Sequence, residues 1–180
     1  MTCSGMGDEA PAAVAERLAL EKARAIADSR GDGIPVVGAD TVVVHQGRVL
    51  NKPRDAQEAR DMLRSLRGDE HVVVTGIALV SGDVERAGHA STAVTMREYT
   101  DEEMEEYVAS GDCMDKAGAY GIQHPAFSPA AGVDGCYMNV VGLPLCLLAR
   151  MLAGMGVTVK KRPEWSLPAQ CLECGMRDGL

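Results

Sequence analysis

A chain of 180 residues with 46% apolar and 24% charged side chains carries enough hydrophobic material for a folded core and is unlike a disordered sequence. Its net charge is −8, with a sequence pI near 5.0, and aromatic residues make up only 3%. The charge has the wrong sign for a binder of nucleic-acid backbones, and the scarcity of rings argues against a base-stacking module; a small anionic ligand held by a few placed cations stays open.

In chain order, residues 10–28 carry apolar side chains at helical spacing (Val14, Leu18, Ala25, Ile26), and Gly31-Asp32-Gly33 ends that pattern. Two β-type runs follow, Ile34–Val37 and Thr41–Val44, around a small-residue joint at Gly38-Ala39-Asp40. Gln46-Gly47 predicts a turn before Arg48–Leu50, and Lys52-Pro53 an extended or turn dipeptide. Asp55 stands as an N-cap with Glu58 in the capping-box position, opening a helix through Ala59, Met62, Leu63 and Leu66 that stops at Gly68. His71–Val80 is a long β-type run interrupted at Thr75-Gly76, and Ser81-Gly82-Asp83 turns the chain into a returning strand over 87–99. Thr100 and Glu103 repeat the cap before a helix through Met104, Tyr107 and Val108, ended by Gly111. Residues 112–139 show no clear period and predict a functional loop region. Pro144 starts a last helix up to Gly154, Val157–Val159 is a short terminal strand at best, and 161–180 is an irregular tail to a domain spanning 1–160.

Strands and helices alternate loosely, which predicts an α/β domain. Six cysteines are too sparse for a disulfide scaffold. Cys3, Cys113, Cys136 and Cys146 stand singly and are expected as small buried hydrophobes in a reducing compartment; Cys171-x-x-Cys174 is half of a zinc ligand set with no second pair. No secretory signal opens the chain, and its most apolar stretch, 140–157, is broken by Pro144, Arg150 and several glycines. The expectation is a cytoplasmic protein with neither a membrane nor a nucleic-acid partner.

Chemistry concentrates at a few places. Asp40, after a β-run and a Gly-Ala pair, projects either from a strand end toward a ligand or into a turn. Lys52 offers a point charge suited to phosphate, or a solvated surface ammonium. His71 is expected as a structural hydrogen bonder rather than a base. Asp115-Lys116-Ala-Gly-Ala-Tyr-Gly-Ile-Gln123 combines glycines that admit a ligand with a Gln amide able both to donate and to accept; the alternative is an ordinary loop.

Taken together, six pieces resemble the Maf family of nucleoside triphosphate pyrophosphatases: Arg17-Leu-Ala-x-x-Lys22-Ala, Gly38-Ala-Asp-Thr-Val-Val43, Lys52-Pro53 with the helix after it, Gly68-x-x-His71-x-Val-x-Thr75-Gly76, Asp115–Gln123 and Asn139-Val-Val-Gly-Leu-Pro144. The resemblance runs from about residue 14 to residue 153. It implies a mixed twisted sheet flanked by helices, of inosine-triphosphatase-like architecture, and hydrolysis of a nucleoside triphosphate to monophosphate and pyrophosphate with a divalent metal cation, Mg²⁺ first among them. By position, Asp40 matches the proton acceptor that activates water and is the one metal ligand it suggests. Lys22 and Lys52 match lysines near the triphosphate, Thr41 and Gln123 match positions tied to substrate choice, and Lys116 joins them as a substrate-binding candidate. The motif forms are similar to those of the subgroup acting on dTTP and UTP, and the family implies a homodimer. Family members begin with a strand and a Ser-x-Ser-Pro-Arg-Arg motif that this sequence does not show. The resemblance therefore implies a core short of its first strand and helix, reduced activity, and, as the alternative, a non-catalytic nucleotide-binding relative linked to cell division.

Overall fold

The computed structural model describes residues 9–157 and residue 171. The chain begins with α1 (Pro11–Arg30), whose Pro at the first turn needs no intrahelical partner; it ends at Gly31, where φ is +64° and the amide bonds Ala27 O. Next comes β1 (Val36–His45), joined to β2 (Arg48–Leu50) through Gln46 and Gly47, both at positive φ as a tight hairpin of right-handed twist requires. Helix α2 (Ala56–Leu66) leads to the long hairpin of β3 (Glu70–Ser81) and β4 (Val84–Met96), then to α3 (Asp101–Ala109). After two 3-10 turns at Asp112–Asp115 and Ala117–Ala119 come β5 (Ala130–Asp134), α4 (Tyr137–Val141) and α5 (Leu145–Gly154). The strands form one sheet in the order β2-β1-β3-β4-β5, every neighbouring pair antiparallel. This is the expected α/β class with a sheet flanked by helices.

Both expected breaks in the strands are absent. Gly38-Ala39-Asp40 lies in the middle of β1, and Gly76 in the middle of β3. Their glycines answer to packing rather than to turning. A Cβ on Gly38 would collide with the carbonyl oxygen of Ala19, and one on Gly76 with the carbonyl of Ala15. Ala15, Ala19 and Ala23 are fully buried, so a row of alanines on α1 lies against a row of glycines on the sheet, and the two backbones approach closely. Asp40 stands opposite Gly76 in register, beside this seam.

The other face carries the main core: Val43, Val73, Val94 and Met96 of the sheet pack against Met62, Leu63 and Leu66 of α2 and Met104, Tyr107 and Val108 of α3. Both helices are capped as the sequence predicts. Asp55 accepts from Glu58 N (2.8 Å), although the Glu58 carboxylate reaches one residue past the cap, to Arg54 N; Thr100 and Glu103 close a full capping box. The expected unpatterned loop over 112–139 contains β5 and the two 3-10 turns. The expected tail over 161–180, apart from a buried Cys171, lies outside the described residues, as do most of the terminal strand and Cys174. Cys113, Cys136 and Cys146 are buried, as expected; Cys3 lies outside the described residues. No helix among the described residues is long and apolar enough to cross a membrane.

Candidate active site

β2 pairs only with Val43–His45, so the outer edge of β1 over 36–42 has no strand beside it among the described residues. A cavity of about 560 Å³ opens at that edge. Lys22, Asp40, Thr41, Lys52, Lys116 and Gln123, the catalytic and substrate-binding candidates of the sequence, line this one cavity. Asp40 is neither at a strand end nor in a turn, the two alternatives the sequence left open. It enters from mid-strand because the neighbouring edge is open.

Alternation along β1 places Asp40 on the α1 face with Gly38 and Val42, and Thr41 on the opposite face with Val43. The two neighbours thus meet the cavity from opposite sides of the sheet. Lys22, on α1, donates from Nζ to Asp40 Oδ1 (2.5 Å) and to the backbone carbonyl of Ala39 (3.2 Å). The Asp40 side chain is mostly buried, at 16% exposure, whereas Lys22 keeps 59%. Oδ2 of Asp40 has no hydrogen bond among the described residues.

Thr41 is oriented from below. Its Oγ1 lies 2.9 Å from Thr75 Oγ1, and Thr75 gives its single hydroxyl proton to Asn139 O at 2.8 Å. The proton between the threonines therefore comes from Thr41, and Thr41 turns only acceptor lone pairs outward. Asn139, fully buried, fastens α4 to the sheet by accepting from Thr75 N (3.0 Å) and donating to Val73 O and Thr92 Oγ1 (2.9 Å each). The sequence quoted Asn139 in a motif without giving it a task; its burial is a tertiary fact with no local signature.

Lys116, a substrate-binding candidate of the sequence, lines the cavity with its ammonium turned to its own loop. Its Nζ donates to Asp112 O (2.6 Å), Asp112 Oδ1 (3.1 Å) and Asp115 Oδ1 (2.7 Å), which engages all three of its donors within its own loop. Burial lowers its pKa, but the bonds to Asp115 and Asp112 outweigh that and leave it raised. Burial would likewise raise the Asp112 carboxyl; the hydrogen bonds from Lys116 and Tyr107 overcome this and hold it low. The carboxylates one and four residues before Lys116 were the available sequence signal. Lys52 makes no hydrogen bond among the described residues, and its charge helps to hold the Asp115 carboxyl low after the larger effect of Lys116.

Tyr120 forms part of the cavity wall, and its hydroxyl meets His71 Nε2 at 2.7 Å. His71 is 2% exposed, its Nδ1 has no hydrogen-bond partner among the described residues, and burial pushes its pKa down to about 4. This is the structural hydrogen bonder that the sequence predicts. Gln123 is exposed at the rim, with no side-chain hydrogen bond among the described residues.

No three His, Cys, Asp or Glu groups converge to hold a metal among the described residues. Asp40 contributes one carboxylate with a free oxygen. Mg²⁺ is held by one or two carboxylates together with substrate phosphates and water, so this donor set suits a cation that arrives with a triphosphate. The charged residues lining the cavity are three lysines (Lys22, Lys52, Lys116) and three aspartates (Asp40, Asp112, Asp115), with no arginine among the described lining residues.

Comparison with known proteins places this geometry. The chain matches the family model described as Maf-like protein over residues 3–155. It is 44% identical over 164 residues to a dTTP/UTP pyrophosphatase of Thermomicrobium roseum, covering 91% of this chain and 75% of the relative. It is 50% identical over 151 residues to that of Moorella thermoacetica, covering 83% and 77%, and 46% identical over 155 residues to that of Pelotomaculum thermopropionicum, covering 85% and 81%. A cavity built on the Gly-Ala-Asp-Thr strand, in a chain matched along most of its length, leads to one conclusion: the protein belongs to the Maf family.

Proposed function

We propose that this protein is a nucleoside triphosphate pyrophosphatase that cleaves dTTP and UTP to the monophosphate and pyrophosphate. The observation that carries the reading is the convergence of Asp40, Lys22, Lys52, Thr41 and Gln123 on one open cavity, in a chain whose curated relatives bear that name. Cleavage of the α–β anhydride needs one water aimed at phosphorus and a site that balances the phosphate charge. Asp40 is the general base: Lys22 fixes one of its oxygens and leaves the other to take the proton of the attacking water. Lys52, without a hydrogen-bond partner among the described residues, meets the phosphates. Mg²⁺ bound with the nucleotide would neutralise phosphate charge, and its protein ligand would be the remaining lone pair of the Asp40 oxygen that Lys22 holds, which keeps the other oxygen for the water. Lys116 acts in this scheme by shaping the loop.

Base selection follows from proton positions. The N3–H of uracil and thymine is a donor, whereas N3 of cytosine is an acceptor. Thr41 offers only lone pairs, which suit the former, and the Gln123 amide supplies complementary bonds to the carbonyl edge. A cytoplasmic, homodimeric protein completes the proposal; the buried Cys113 thiol is in keeping with a reducing compartment, and exposed Ile34 and Val37 beside the open edge of β1 supply apolar surface for association.

A second reading, a nucleotide binder without turnover, has one observation in its favour: the lining charges balance, and the described lining residues include no arginine fork. Pyrophosphate release from dTTP, UTP, CTP and 7-methyl-GTP with Mg²⁺, alongside binding of each, separates the two. Release from dTTP and UTP is expected to exceed that from CTP; binding without release would establish the second reading.

A further inference from the structure

We infer that Tyr107, outside the cavity, is the positioning residue for base recognition, because its hydroxyl sets the backbone that carries Gln123. This rests on the proposed role of Gln123. The Gln123 side chain has no hydrogen bond of its own among the described residues, so its direction depends on the chain on either side of it. Both sides are fastened to Tyr107. Two residues before Gln123, the Gly121 amide donates to Tyr107 Oη at 2.9 Å. One residue after it, the His124 ring meets the Tyr107 ring edge-on, with centroids 4.8 Å apart. His124 Nδ1 in turn accepts from Phe127 N at 3.0 Å, and Phe127 stacks on Tyr107 at 4.3 Å and 9°.

The hydroxyl does two things at once. It accepts from Gly121 and donates to Asp112 Oδ2 at 2.9 Å, the carboxylate whose other oxygen takes Lys116. Gly121 packs so tightly on this cluster that a Cβ there would lie 2.9 Å from Lys116 Cε and 3.2 Å from Asp112 Oδ2. Tyr107 itself is 2% exposed on α3, a helix whose capping box and core contacts hold it rigid. A fixed helix thus sets the position of an exposed recognition loop through one phenol oxygen.

Tyr107→Phe in the full chain tests this, since it keeps the ring stack and deletes only the hydroxyl. One neutral hydrogen bond corresponds to about a two- to tenfold effect. The KM for dTTP is expected to rise by about that factor with kcat nearly unchanged, the preference for dTTP over CTP to fall equally, and the Gly121 amide of nucleotide-free protein to exchange faster in deuterium oxide. In a Gln123→Ala background the same change is expected to leave the preference where Gln123→Ala alone puts it. Unchanged KM and preference in Tyr107→Phe overturn the inference. So does a further loss in the Gln123→Ala background, or a drop in thermal midpoint and kcat with the preference intact. A wild-type protein that releases no pyrophosphate from dTTP or UTP contradicts the functional reading instead; unchanged exchange at Gly121 then still overturns the positioning role.

Discussion

The hydroxyls of Thr41 and Thr75 lie 2.9 Å apart, and Thr41 supplies the proton between them, because Thr75 gives its own to the carbonyl of Asn139. The hydrogen-bond polarity that Thr41 shows the cavity is thereby set by a residue with 0% exposure, and in the proposed reading that polarity is what a nucleobase meets.

Thr75→Val removes the acceptor beneath Thr41 at nearly constant volume. The freed Thr41 hydroxyl can then donate, so relative activity on CTP is expected to rise by about tenfold, the scale of one hydrogen bond changing sign. The ratio of kcat/KM for dTTP and CTP measures it. A ratio equal to that of the wild type would show that Thr41 does not read the base.

Asn139→Ala deletes the side chain that accepts from Thr75 N and donates to Val73 O and Thr92 Oγ1. Three buried groups lose a partner, and a stability loss of about 3 kcal/mol or more is expected in urea unfolding. A change below about 1 kcal/mol would mean that water replaces the amide.

Gly38→Val places branched carbons against the Ala19 carbonyl and Ala23 N of α1. Backbone atoms cannot rotate away, so the cost lies at or above the upper end of the overpacking range, about 3 kcal/mol. Activity should fall as well, since a displaced α1 carries Lys22 away from Asp40. Unfolding midpoints and turnover of the same variant check both statements.

That seam also shows what was legible in the sequence. Gly38 and Gly76 are read from the sequence as breaks between β-type runs, because a glycine that breaks a strand and one that admits a helix look alike until the helix is in place. Ala19 lies 19 residues before Gly38, and no local window joins them. The helix caps at Asp55 and Thr100 were legible because their partners lie three residues away. Asp40, Thr41, Lys52 and Gln123 were found through motif order, and the cavity does contain them. The short β5 was not found, because Ala-Ala-Gly-Val-Asp has no alternation and is a strand only by virtue of the β4 edge. Lys116 stands in the sequence as a substrate-binding candidate with carboxylates one and four residues before it, and the structure shows its donors engaged by those neighbours.

His71 predicts an acid limb of stability. It is buried neutral with a pKa of about 4 against an ordinary value of 6.5, so between these values the unfolded chain takes up a proton that the native state refuses. The stabilising effect is complete above about pH 6.5 and is lost as pH falls to about 4, to the extent of roughly 3 kcal/mol. Urea unfolding at pH 7 and pH 4.5 should show that loss in the wild type and a smaller one in His71→Gln. Equal slopes in both proteins would assign the acid limb to other groups.

The role of Asp40 is tested most directly by pyrophosphate release from dTTP and UTP with Mg²⁺ by wild type and Asp40→Asn, with nucleotide binding measured on the same samples. The expected result is turnover by the wild type, a fall of about 10²–10⁴-fold in kcat for Asp40→Asn, and retained binding. Turnover by Asp40→Asn within a few-fold of the wild type would contradict the assignment of Asp40 as the base.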